Sequence, residues 1–290
     1  MSRVERGVVE AARVVEDEAT FRDVAPTLTI GRLDGALTPP LAPAPAAPLS
    51  PSGYTRVPAV VAGARAAEMA SAIHGLAARG LPTPFAYVWD AFWEPARTLL
   101  AWTSAHVGDY ELVDDAWAWR VAPGSSGWPA HRGMYTRSAE RDAPDVLNVW
   151  IALGDVTAEG GAMHAVGLDR DPAYPGALDD ITSGASRAVA LPAAAGDALV
   201  WDANVLHWGG AVSEASPPRV SFSYTLRRRG SGAAPEARAV EPGAMGFRAR
   251  LDLIAAQLVT YGAYDTAVEG GFRDWARAVH GLSRLRAPRR

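Results

Sequence analysis

The chain has 290 residues, 49% of them hydrophobic, which suits one large folded unit or two small ones. A net charge of −4 and a pI near 5.9 give no electrostatic reason to expect nucleic acid or an anionic membrane as partner. Cysteine is absent and all 28 basic residues are arginine, which excludes disulfides, thiolate metal sites, Schiff-base lysines and the P-loop lysine.

Taken in chain order, Met1–Phe21 is charged throughout and lacks the apolar stretch of a secretory signal. No apolar run approaches the roughly 20 residues that a membrane helix needs, so a cytoplasmic location with no membrane partner is expected. A helix is predicted around Val8–Glu18. Thr38–Ser52 is rich in proline and alanine and reads as an extended linker, making 1–52 an N-terminal arm and 53–290 a single domain. Ala62–Arg79 has Ala66, Met69, Ile73 and Leu76 near helical spacing, with Gly80 as its stop. Phe85–Trp102 carries six aromatics and predicts a buried helix with a proline step, a few of whose rings could line a pocket.

From Asp115 the pattern has period two. Strands are predicted at Ala116–Val121, Asp145–Leu153, Ala188–Leu191, Asp197–Trp201 and Arg219–Arg227. The second places Leu147, Val149, Ile151 and Leu153 on one face and Asn148 and Trp150 on the other. The last places Arg219, Ser221, Ser223 and Thr225 together. Leu168–Arg187 is a long, acidic, turn-rich loop, of the kind that is either a lid or disordered. Helices are predicted at Phe247–Tyr261 and Phe272–Leu282. The expected architecture is mainly β, an antiparallel double-sheet sandwich or barrel with helices at both ends.

Of the six histidines, His74, His106 and His280 lie in helical contexts and are assigned no role. His131 lies in GWPAHRG, after a strand-like segment and a Gly-rich turn. His207 lies in GDALVWDANVLHWGG, at the end of another strand. Arg219 and Ser221 share a strand face, and a guanidinium fork beside a hydroxyl suits a carboxylate. With two histidines on that face, one site would hold a metal and a dicarboxylate together.

Four ordered blocks carry a more specific resemblance: GWPAHRG, PDVLNVWIALGDVTAEGGAMHAV, LPAAAGDALVWDANVLHWGG and PRVSFSY. Together they resemble the phytanoyl-CoA dioxygenase-like branch of the Fe(II)/2-oxoglutarate-dependent oxygenases. The resemblance implies a double-stranded β-helix (jelly roll, cupin-like) and a facial triad of two histidines and one carboxylate. It implies Fe(II) held by His131 and His207, with 2-oxoglutarate and O₂ as co-substrates. Arg219 and Ser221 would hold the distal carboxylate of 2-oxoglutarate, and Asn148 and Trp150 would face the same pocket. The substrate would be a small molecule attacked at an unactivated C–H bond.

The departure is at Gly133, where the H-x-D/E motif of that family has its carboxylate. Glycine here matches the iron-dependent halogenases, in which chloride or bromide takes the vacated position and is transferred to carbon. Three other readings stand beside it: a degenerate site, an Asp→Gly variant of a hydroxylase or dioxygenase, and a ligand supplied from elsewhere, with Asp142, Asp145, Asp202 and His164 as candidates. A cupin-like binding protein without turnover is the rival from another class. Arg132, Arg137 and Arg170 are candidates to meet an anionic substrate, and a monomer or homodimer is expected.

Overall fold

The structure is a computed structural model, and it describes residues 3–31, 49–133, 143–265, 268 and 270–286. Most of the proline-rich linker, with Arg137 and Asp142, lies outside the described residues. The chain divides into two compact units, one built from 1–37, 71–94 and 241–290, the other from 38–70 and 95–240.

The first unit is helical. It contains α1 (Arg3–Val15), α2 (Glu18–Val24), the latter half of α3 (Gly63–Ala78), α5 (Phe247–Tyr261) and α6 (Gly270–Arg286). The expected face of α3 is real, since Ala66, Met69, Ile73 and Leu76 are all fully buried. Its end is a Schellman cap. Gly80 takes φ +68, the Leu81 N–H reaches the Leu76 carbonyl at 2.9 Å, and the Gly80 N–H reaches that of Ala77 at 3.1 Å. The aromatic segment departs from expectation. It forms two 3-10 turns, Thr83–Val88 and Asp90–Phe92, and the chain enters α4 (Glu94–His106) only afterwards. Pro95 therefore sits in the first turn of a helix, where its missing N–H has no intrahelical partner to lose.

Phe21 centres the aromatic packing of this unit, with ring centroids 5.7 Å from Phe85, 5.9 Å from Trp89 and 5.9 Å from Phe247. Beside it lies a buried ion pair, Arg250 Nη2 to Asp90 Oδ1 at 2.6 Å, at 0% and 1% side-chain exposure. Arg250 also donates to the carbonyls of Val88 at 2.7 Å and Met245 at 3.1 Å, which leaves its donors matched despite burial.

The second unit holds the sheets. Strands β1 (Tyr54–Val57), β2 (Tyr110–Val121), β3 (Val146–Ala152), β6 (Ala198–Asp202) and β8 (Arg219–Arg228) make an antiparallel sheet in the order β1-β6-β3-β8-β2. Strands β4 (Met163–Val166), β5 (Val189–Leu191) and β7 (Leu206–Gly209) make a second antiparallel sheet in the order β5-β4-β7. Trp150, Leu199 and Trp201 of the large sheet and Met163 and Ala165 of the small one share one hydrophobic cluster, so the sheets face each other. This is the jelly roll.

Register decides what points inward. Asn148 pairs with Trp201 and Thr225, and Trp150 with Leu199 and Ser223. Ser221 pairs with Ala152 and Trp119, and Arg219 with Val121. Directly paired residues share a face, so these side chains line the inner side of the large sheet. Val149, Val200 and Tyr224 line its outer side.

Removing the Arg250 side chain takes the paired cation away from the buried Asp90 carboxylate. Arg250→Ala is expected to destabilise the helical unit by about 3–5 kcal/mol, read as a lowered denaturant midpoint.

Candidate metal centre

His131 and His207 come together through the backbone. The segment 126–133, itself outside the named strands, runs antiparallel to 203–211, which contains β7. His131 and His207 exchange both N–H···O bonds at 3.0 Å, the Gly209 N–H reaches the Trp128 carbonyl at 3.3 Å, and the Gly133 N–H reaches that of Ala203 at 2.6 Å. The two imidazoles end with ring centroids 4.2 Å apart.

Each imidazole is oriented by a local carbonyl. His131 Nδ1 lies 2.8 Å from the Pro129 oxygen, and His207 Nδ1 2.9 Å from the Val205 oxygen. A carbonyl can only accept, so each Nδ1 carries the proton and each Nε2 keeps a lone pair, the tautomer a metal requires. Burial pushes both rings toward the neutral form. His207 falls to about 3, first by desolvation and then by repulsion from His131, and desolvation lowers His131 as well.

Indoles surround this pair. The Trp201 ring lies 4.7 Å from His207, Trp128 lies 6.1 Å from His131, and Trp119 lies 5.4 Å from Trp128. Trp150 packs in the cluster between the sheets.

Arg219 and Ser221 lie on the inner side of the large sheet, which faces the small sheet that carries His207. Arg219 is 5% exposed and Ser221 is fully buried. Arg219 Nη1 donates to the carbonyls of Gly161 and, at 3.2 Å, Gly210. Its Nε, the Ser221 hydroxyl, the Asn148 Oδ1 and the Trp201 Nε1 are buried with no hydrogen-bond partner. Leaving such groups unmet costs about 1–3 kcal/mol each, and those on the inner side of the large sheet are groups that a polar ligand would meet. Desolvation lowers Arg219 to about 10, so it stays cationic at neutral pH.

Two glycines make room for that arginine. A Cβ at Gly127 or at Gly209 would lie 2.5 Å from Arg219 Nη2. Sequence reading passed over both, and the Gly209-Gly210 pair after His207 was the available signal.

Among the described residues no group of three His, Asp or Glu side chains is placed to hold a metal ion. His164 alternates with Met163 and Ala165 on β4 and pairs with Trp208, stacking on its indole at 7°, on the side away from His207. Asp202 pairs with Leu147, opposite in face to Trp201, and its Oδ1 accepts the Asn204 N–H at 2.8 Å. Asp145 is held by Arg228 at 2.8 Å.

Arg132 is not a receptor for substrate. It is buried and ion-paired with the fully buried Asp171. It also donates to the carbonyls of Leu178 at 3.0 Å, Asn204 at 2.8 Å and Asp180 at 3.2 Å. The residue between His131 and Gly133 thus ties the loop 168–187 to the segment that carries His131. Arg187 closes the same loop by donating to the Arg170 carbonyl at 2.9 Å.

Residues 95–220 match the family described as phytanoyl-CoA dioxygenase (PhyH). The matched stretch takes in His131, Gly133, His207 and Arg219 and stops just before Ser221. No curated protein matches the sequence. Among solved structures, SnoN, a non-heme alpha ketoglutarate dependent epimerase from nogalamycin biosynthesis, is 20% identical over 66% of this chain and 82% of its own, with a TM-score of 0.47. HygX from Streptomyces hygroscopicus, with nickel and 2-oxoglutarate bound, is 14% identical over 62% and 83%, at 0.45. AviO1 from Streptomyces viridochromogenes Tue57 is 17% identical over 62% and 91%, at 0.46.

Two outcomes are expected. Arg132→Met leaves Asp171 unpaired, and limited proteolysis should then cut within 168–187 at protease levels that spare the parent. The pH dependence follows from His207. Between pH 6.5 and about 3 the unfolded chain binds a proton there that the folded chain does not, so stability falls as pH drops through that window. The metal-free protein should lose melting temperature below pH 6.5, with a shallower slope in His207→Asn.

Proposed function

We propose that this chain is a non-haem Fe(II)/2-oxoglutarate-dependent enzyme that functionalises a C–H bond of a small molecule, with a halide at the position Gly133 leaves open. One observation carries the reading. Two neutral imidazoles with free Nε2 atoms, His207 on the small sheet and His131 paired to it, accompany a buried arginine and serine on the facing large sheet whose Nε and Oγ have no partner. The match to the phytanoyl-CoA dioxygenase family over 95–220 supports it.

The residues fit the groups they would hold. His131 and His207 would ligate iron, and Arg219 and Ser221 would receive the distal carboxylate of 2-oxoglutarate by charge-assisted hydrogen bonds. When bound, iron with 2-oxoglutarate and O₂ supplies the oxidising power for attack on an unactivated C–H bond. The protein's own part is positional. Carbonyl-locked imidazoles hold the tautomer, the indoles exclude water, and Asn148 Oδ1 and Trp201 Nε1 offer one acceptor and one donor to whatever enters.

Charge favours a halide. Two neutral imidazoles leave Fe²⁺ and dianionic 2-oxoglutarate at zero net charge, where a carboxylate ligand would have made the centre mono-anionic. Chloride or bromide restores both that charge and the ligand count. The alternative within the same family is hydroxylation, in which no anion is required.

Anaerobic titration with Fe(II) and 2-oxoglutarate, with and without chloride, separates these readings. A visible charge-transfer band whose formation needs less 2-oxoglutarate as chloride rises is the expected result. Arg219→Ala should raise the 2-oxoglutarate requirement by about tenfold or more. A band indifferent to chloride would select hydroxylation, and no band at any chloride concentration would leave a binding protein of cupin type.

A further inference from the structure

Gly133 is absent from the glycines with positive φ, so the backbone at 133 does not itself demand glycine. Space does. A Cβ built there would lie 2.7 Å from the Ala203 Cβ, 3.0 Å from its carbonyl oxygen and 3.2 Å from its Cα. Gly154 and Gly176, in the same unit, have nothing within 4 Å of theirs.

Nothing in this contact can swing aside. An alanine Cβ has no rotamer to change. Ala203 is fully buried in a cluster with Val146 and Ala234, and its N–H reaches the Val146 carbonyl at 3.0 Å. From the other side, Gly133 is held by its own 2.6 Å bond to the Ala203 carbonyl, Arg132 by its 2.8 Å bond to the Asn204 carbonyl, and His131 by its pairing with His207. Any displacement that accommodates a side chain at 133 pulls on the first histidine.

We propose that Ala203 is the positioning residue that keeps position 133 free of a side chain. The missing carboxylate is then a property of two packed segments, and a lone Gly133→Asp change does not rebuild a three-ligand centre. The proposal rests on the metal-centre reading only for what the vacancy means; the steric coupling stands apart from it. With Ala203→Gly the 2.7 Å contact disappears, and the remaining approaches of 3.0 and 3.2 Å need a shift of only a few tenths of an ångström.

The test is a double-mutant cycle on the full chain: parent, Ala203→Gly, Gly133→Ala and the pair, each read by thermal melting and by Co(II) affinity from calorimetry. Gly133→Ala should melt lower and bind Co(II) about tenfold more weakly, because it displaces His131. Adding Ala203→Gly should recover most of both losses. Gly133→Asp should bind Co(II) no tighter than the parent, and Gly133→Asp with Ala203→Gly should bind it tighter. If Gly133→Ala fails to fold, rescue by Ala203→Gly supports the proposal and failure of rescue overturns it. Unchanged melting in Gly133→Ala, or losses that Ala203→Gly leaves in place, also overturn it. Absence of Co(II) binding in the parent would overturn the metal-centre reading, while the melting cycle would still decide the role of Ala203.

Discussion

The pairing of 126–133 with 203–211 is the constraint on which the centre depends. Neither segment is a long strand, and the first lies outside both sheets. Yet reciprocal bonds between His131 and His207, with the bonds at Trp128 and Ala203, set the approach of two imidazoles that are far apart in sequence. Backbone hydrogen bonds of this kind hold ligands in place before a ligand arrives, because the ordering cost is met on folding rather than on binding. The same pairing explains the close approach of Gly133 to Ala203 and the entry of Arg219 between Gly127 and Gly209.

Around that pairing the sandwich divides its chemistry by face. The outer side of the large sheet is apolar at Val149, Val200 and Phe222, and the inner side carries Asn148, Trp201, Arg219 and Ser221. Burying so many polar atoms without partners is costly unless a ligand meets them. Structural ion pairs elsewhere obey the opposite rule. Arg250 with Asp90 and Arg132 with Asp171 are buried among several acceptors. Arg219, by contrast, donates from Nη1 to two carbonyls but leaves its Nε without a partner.

Arg132 joins the two roles. It sits between His131 and Gly133, yet its guanidinium belongs to the loop 168–187. A loop tethered next to His131 is sensitive to the position of that segment.

Strand alternation was legible wherever it lasted long enough. Residues of β3 and β8 repeat with period two over 7 and 10 residues, so the shared face of Arg219 and Ser221 and the inward turn of Asn148 and Trp150 could be read directly. Helix α5 was equally plain from its periodicity. Strands β1, β4 and β7 span four residues each, too few to show a period, and passed unseen. That His131 and His207 stand together was readable because strand ends and neighbouring motifs mark them. What Arg132 binds, why Gly127 and Gly209 are glycines, and why Ala203 matters were not, since each depends on a partner distant in the chain. Local order follows from the repeat of side chains along the backbone. The occupancy of space around a metal ligand follows from which distant segments fold against it, and no local pattern encodes that.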